Sequence, residues 1–139
     1  MAKRNCNCNI NTQINVLLQK CLIETGNVEH CAIFRRKDSK LLAHSPSFLI
    51  SRNEIEYFRD LYNNVLETRS NGILFRSEQY ITVRADKYSI YSKRNNVEGL
   101  IMTRTASVII IATYAKGMYA SVCVEAVEKL GDYFREKGS

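Results

Sequence analysis

With 139 residues the chain has the length of one domain and not of two, and a domain of this size buries roughly two-thirds of the surface its unfolded chain exposes. The composition, 45% hydrophobic and 24% charged with 1 Pro and 6 Gly, excludes a fibrous chain or a long disordered tract. A formal charge of +6 is unevenly placed: the segment before Arg69 carries +2, Arg69 to Arg104 carries +4, and the remainder is neutral. A basic middle segment calls for an acidic partner, whether phosphorylated lipid, acidic protein surface or nucleic acid.

In chain order, residues 1–9 are basic and Asn-rich without an apolar stretch, which predicts a flexible tail and not a signal peptide; the domain is expected over 10–139. No apolar run reaches the roughly 18 residues that span a bilayer, so an intracellular, cytoplasmic protein with reduced thiols is expected. Cys6 and Cys8 form a lone C-x-C pair with no second pair to complete a zinc site, while Cys21, Cys31 and Cys123 sit in apolar patterns as small core residues. Ile10, Ile14, Leu17 or Leu18, and Cys21 recur at three- and four-residue steps, predicting a helix that ends near Gly26. Two short apolar runs, 31–34 and 41–43, flank the basic segment 35–40, which reads as a hairpin turn and a solvated loop. Ser51 and Glu54 have capping-box spacing, and Ile55, Phe58, Leu61 or Tyr62, and Val65 or Leu66 predict one helix stopping before Asn71-Gly72.

From Gly72 the period changes. Residues 73–75, 80–84, 89–93, 99–104 and 108–114 are short, rich in β-formers and separated by polar turns, the pattern of an antiparallel meander. Residues 108–112 are apolar without alternation, so this strand should be covered on both faces. A last helix begins near Tyr119, with Val122, Ala126, Leu130 and Phe134 on one face. Gly131 inside it costs up to about 1 kcal/mol against Ala, which implies close packing, most naturally by the first helix.

Catalytic machinery is not legible. There is no G-x-S-x-G, Walker loop, H-E-x-x-H or dinucleotide fingerprint, and His30 and His44 read as strand-edge histidines. A binding protein without cofactor or metal is expected. Tyr80, Tyr88 and Tyr91 interleaved with cations leave a basic single-stranded nucleic-acid-binding module as the alternative, although no nucleic-acid signature accompanies them.

The stretches Tyr80-Ile-Thr-Val-Arg-Ala-Asp-Lys-Tyr-Ser-Ile-Tyr-Ser-Lys93, Thr103-Arg-Thr105 and Ile111-Ala-Thr-Tyr-Ala-Lys-Gly-Met-Tyr119 resemble the profilins. The closing Cys123-Val-Glu-Ala-Val-Glu-Lys-Leu-Gly-Asp-Tyr133 resembles their divergent testis-type class most. The resemblance implies an α+β fold, an antiparallel sheet sandwiched between the terminal helices and smaller internal ones, and a monomeric, cytoskeleton-associated adaptor. It also implies three binding activities. Profilins hold proline-rich peptides in an aromatic trough between the terminal helices, where rings pack on a preformed polyproline II helix. This chain has 0 Trp, Leu42 stands where a strand tryptophan is expected, and Tyr133 is the remnant, so proline-peptide binding is expected to be weak or absent. Arg84, Lys93, Arg104 and Tyr119 match the actin-facing surface, while Gln79 and Ala120 replace polar or basic positions there, implying actin binding weakened or lost. Acidic phospholipid binding needs only clustered cations, for which Arg76, Arg84, Lys87, Lys93, Arg94 and Arg104 are the candidates.

Overall fold

The computed structural model describes residues 13–139, so the expected tail with Cys6 and Cys8 lies outside the described residues. Residues 13–21 are helical (α1) and run into a 3₁₀ turn, Ile23–Thr25, closed by Gly26 at φ 73° with its N–H donating to the Ile23 carbonyl. That left-handed conformation suits glycine because a Cβ would meet the following carbonyl. Then follow β1 (His30–Arg35), β2 (Leu41–His44), α2 (Arg52–Asp60), α3 (Val65–Asn71), β3 (Ile73–Phe75), β4 (Glu78–Ala85), β5 (Ser89–Lys93), β6 (Gly99–Arg104), β7 (Val108–Tyr114) and α4 (Ala120–Glu136).

The strands form one 7-stranded sheet in the order β2-β1-β7-β6-β5-β4-β3, with each neighbouring pair antiparallel. The meander from β3 to β7 is local. The first hairpin then docks on β7 with His30 opposite Thr113 and Arg35 opposite Val108. Alternate residues of the central strands feed two cores. Ile101, Ile110 and Ala112 pack with α1 and α4 residues such as Leu18, Cys123, Val127 and Leu130. Leu100, Met102, Ile109 and Ile111 pack with Phe58 and Tyr62 from the α2 side. Every residue of β7 is buried, which accounts for its lack of alternation. The α+β sandwich is thus the observed architecture.

Three expectations need correction. The helix read from Ser51 towards Asn71 is two helices, because the Asn64 side chain accepts from the Glu67 N–H at 3.1 Å and starts a new one, offering the backbone an alternative to continuing. Its start does carry the capping box: Ser51 Oγ accepts from the Glu54 N–H and Glu54 Oε1 from the Ser51 N–H. On α4, Val122 is exposed and the buried face is Cys123, Ala126, Val127, Leu130, Gly131 and Phe134. Gly131 does face a close neighbour, but a Cβ there would lie 2.9 Å from Thr103 Cγ2 of β6, so the sheet and not α1 demands the glycine.

Candidate functional site

Sheet register decides where the candidate cations lie. Lys93 is opposite Gly99, Gly99 opposite Tyr114, Ser89 opposite Thr103, and Arg104 opposite Ile109. The five residue steps from Gly99 to Arg104 on β6 span about 16 Å at the usual strand rise. Lys93 and Arg94, with the β3–β4 turn bearing Arg76, occupy one end of the sheet. Arg84, Lys87 and Arg104 occupy the other.

At the first end the positive charge is largely neutralised. Arg76 Nε lies 2.9 Å from Glu54 Oε2, its Nη2 donates to the Leu49 carbonyl at 2.7 Å, and its guanidinium covers the Phe48 and Phe75 rings. Hydrogen bonding from Arg76 is the main reason the Glu54 carboxyl sits below its usual range. Arg94 Nη2 is 2.9 Å from both Glu98 oxygens. Lys93 is exposed and carries no ion pair among the described residues.

At the second end the charges are less matched. Arg84 pairs with Asp86 at 3.0 Å above the Tyr91 ring. Burial opposes ionisation of Asp86, but the Ser89 and Tyr88 N–H groups and Arg84 outweigh it and hold the carboxyl low. Lys87 Nζ sits 5.0 Å from the Tyr88 ring centroid. Arg104 stacks on Tyr62 at 4.6 Å and donates through Nε to the Lys87 carbonyl.

Sequence reasoning missed four further cations here. Arg35, Arg36 and Lys37, read above as a solvated loop, line a cavity of about 730 Å³ together with Arg59 and Arg104. Their only sequence signal was the basic run itself, because its partners lie on α2 and β6. Arg35 is matched by Asp38 through two bonds of 2.7 and 3.0 Å, which hold the Asp38 carboxyl far below its usual range.

The residues matched to an actin-facing surface divide similarly. Lys93 shares a sheet face with Ile81, its cross-strand partner, and with the Leu74–Gln79 pair, on a part of the sheet where Ile81, Val83 and Leu74 are 67%, 62% and 58% exposed. Arg84 stands opposite Tyr91. Tyr119 is exposed at the start of α4, its N–H donating to Asn27 Oδ1 at 2.7 Å. Arg104 packs on Tyr62, on the α2 side of the sheet, away from the other three.

Between α1 and α4 runs a groove of about 540 Å³ lined by Ile14, Val16, Leu17, Tyr133, Phe134 and Lys137. Tyr133 is half-exposed and meets Phe134 edge-on at 5.8 Å, while Phe134 itself is buried. Leu42 packs against the core and contributes no ring. The groove therefore presents one accessible ring, its face approached by Lys137 Nζ at 5.5 Å. The buried thiols offer no nucleophile: burial pushes Cys31 and Cys123 up to about 12, so both stay protonated at neutral pH.

Comparison with known proteins places this architecture. A family described as Profilin matches residues 12–139. Profilin-4 of Bos taurus is 42% identical over 127 residues, covering 88% of this chain and 95% of the relative. The profilin of Saccharomyces cerevisiae is 33% identical over 112 residues, covering 81% and 88%. Among solved structures, Acanthamoeba castellanii profilin II superposes with a TM-score of 0.78 at 30% identity, covering 88% of this chain and 96% of that one. Schizosaccharomyces pombe profilin gives 0.81 at 27% identity, covering 90% and 98%. With a sheet covered by both terminal helices on one face and by α2 on the other, and a family match from residue 12 to residue 139, the chain belongs to the profilin family, regulators of the actin cytoskeleton that catalyse no reaction.

Proposed function

We propose that this profilin is a cytoplasmic, cytoskeleton-associated adaptor that docks on acidic phospholipids, contacts actin monomers weakly or not at all, and has little grip on proline-rich peptides. The observation that supports the reading is the gathering of Arg104 with Arg36 and Lys37 of the β1–β2 turn at the end of the sheet where Lys87 also lies; Arg84, on the opposite face and paired with Asp86, adds little. Clustered cations meet phosphates without needing a shaped apolar surface, and each contributes about 1 kcal/mol near an anionic membrane. Arg76 and Arg94 contribute little, because Glu54 and Glu98 already occupy them.

The helix groove supports the second half of the reading. A proline-rich ligand gains its affinity from several flat rings, each burying about 150–250 Å², and a single half-exposed Tyr133 supplies a fraction of that area. Dispersal of Arg84, Lys93, Arg104 and Tyr119 over both sheet ends and faces supports a weakened actin contact.

Co-sedimentation tests the set together. Vesicles of phosphatidylcholine and phosphatidylserine should retain the protein at low salt and release it as the Debye length falls from about 10 Å at 0.1 M to about 3 Å at 1 M. Binding that is indifferent to salt would refute the electrostatic reading. Slowing of actin polymerisation at low micromolar protein, or micromolar affinity for an oligoproline, would refute the weakening of those two activities. Retention of single-stranded RNA in place of vesicles would favour the nucleic-acid alternative.

A further inference from the structure

Asn71 and Gly72, which join α3 to β3, form the only Asn-Gly step in the chain. In such a step the glycine nitrogen can attack the asparagine side-chain carbonyl carbon and close a five-membered ring, with no Cβ in the way. The fold cannot dispense with this glycine. Gly72 has φ 73° and ψ −158°, a region open essentially to glycine alone, and a Cβ there would overlap the Tyr80 carbonyl oxygen. Asn71 is exposed and lines a cavity of about 350 Å³ with Gly72 and Glu67. Its side-chain amide makes no hydrogen bond among the described residues, while its main-chain carbonyl accepts from Gln79 Nε2 at 3.0 Å.

One hydrogen bond restrains the reaction. The Gly72 N–H donates to the Thr68 carbonyl at 2.9 Å, the last bond of α3, and while it holds the nitrogen keeps its proton. α3 is 7 residues long with Thr68 as its buried residue, and so short a helix has little stability of its own. Its first turn hangs on the Asn64 side chain, which accepts from the Glu67 N–H at 3.1 Å. Few buried contacts and an exposed surface place this segment at the low end of local stability, where brief opening is frequent.

We propose that Asn71 is a spontaneous deamidation site, gated by fraying of the last turn of α3, and that its conversion is a one-way switch loosening the α3–β3 junction. In the open state the Gly72 nitrogen loses its proton and bonds to Asn71 Cγ, the Cγ–Nδ2 bond breaks, and ammonia leaves with that proton. Water then splits one of the two C–N bonds of the cyclic imide. Cleavage at Cγ leaves aspartate; cleavage at the main-chain carbonyl carbon leaves isoaspartate, whose chain runs through the former side chain. Either product loosens the junction. The new carboxylate stands four residues after Glu67, a repulsive spacing on a helix, and at the negative end of the helix dipole. Isoaspartate also adds a methylene to the main chain and turns the carbonyl that Gln79 holds into the free carboxylate. The reaction needs only water and is independent of the lipid and actin readings.

The test is incubation of the folded protein at mildly alkaline pH, followed by peptide mass mapping and methyl labelling with an isoaspartyl methyltransferase. Asn71 should convert to a mixture containing isoaspartate, and Asn71→Gln, whose longer side chain would close a larger ring, should not convert. Asn64→Ala removes the cap of α3 and should speed conversion about fivefold, the equivalent of about 1 kcal/mol in the open population. Val127→Ala destabilises the fold from the other core and leaves α3 capped, so its rate should stay within about twofold of the unaltered protein's. Asn71→Asp and the converted protein should both show a lower urea midpoint at unchanged slope. An amide that persists at Asn71 in the folded protein while the urea-unfolded chain converts overturns the site. Equal rates in the unaltered protein and Asn64→Ala, or equal acceleration by Val127→Ala, overturn the gate. A midpoint unmoved in both Asn71→Asp and the converted protein overturns the switch.

Discussion

Arg76 shows why a cation's position in a basic segment does not make it a ligand. Its formal charge counts towards the excess of residues 69–104, yet its guanidinium is spent on Glu54, the Leu49 carbonyl and two phenylalanine rings. The loop after β2 brings Phe48 edge-to-face with Phe75 of β3 at 6.2 Å, and Arg76 closes over that pair from the β3–β4 turn. Its backbone has φ 52°, a left-handed turn conformation that aims the side chain back over the core. Arg76→Ala should lower the free energy of unfolding by about 1–2 kcal/mol, from a partly exposed ion pair and a cation–π contact. Acidic vesicle binding should change by less than about twofold, since one neutralised cation in a screened field adds little. Urea unfolding and co-sedimentation on the same variant separate the two; a stable variant that no longer binds vesicles would restore Arg76 to the lipid-binding set.

Helix α4 packs on one of the two cores, and its seat on the sheet is polar as well as apolar. Glu128 Oε2 accepts from Ser89 Oγ at 2.8 Å and from the Tyr91 hydroxyl. Arg135 Nη2 donates to Thr103 Oγ1 and to the Arg104 carbonyl. These bonds fix the height of the helix above β5 and β6 and leave no room for a methyl group at Gly131, beside Thr103 Cγ2. The Thr103 methyl cannot swing aside cheaply, because its hydroxyl is engaged with Ser89 and Arg135. Gly131→Ala gains up to about 1 kcal/mol of helix propensity but incurs an overpacking cost of about 1–3 kcal/mol. The expected net result is a lower denaturant midpoint with an unchanged slope. A raised midpoint would mean that the helix can lift off the sheet without penalty. The periodic apolar positions of this helix and the cost of its glycine were legible in the chain. Which neighbour filled the space was not, because α1 and β6 are equally plausible until the sheet is assembled.

For the molecule as a whole, burial of weak acids predicts how stability varies with pH. Burial, and then the bond to Glu128, push the Tyr91 hydroxyl up to about 12; burial raises the Cys31 thiol to about 12 against the bonds of Ser45, and burial, with the neighbouring Cys31, raises Cys123 to about 12. Burial also raises Tyr62, Tyr80 and Tyr114. The folded protein thus holds these protons more tightly than the unfolded chain, whose thiols and phenols titrate near about 8.5 and 10. The resulting stability is complete below those values and is lost as the pH climbs from about 9 towards 12. Thermal unfolding in the presence of a reductant should show a midpoint falling steadily over that alkaline window. A midpoint flat to about pH 11 would mean that these groups are hydrated in the native state.

Local features of the chain determined the elements. The capping box at Ser51, the glycine after the first helix, the change of period at Gly72 and the unbroken apolar run of β7 act over a few residues each, and six of the seven strands match their expected bounds to within one residue at either end. The absence of tryptophan is likewise a property of the chain in any fold. Only the tertiary structure decided which charges stand together. Register between strands distant in sequence is non-local, and each antiparallel reversal sends neighbouring residues to opposite ends of the sheet. A basic segment that is continuous in sequence was thereby divided across the width of the molecule. Its Arg104 was placed instead beside Arg36 and Arg59, 68 and 45 positions earlier in the chain.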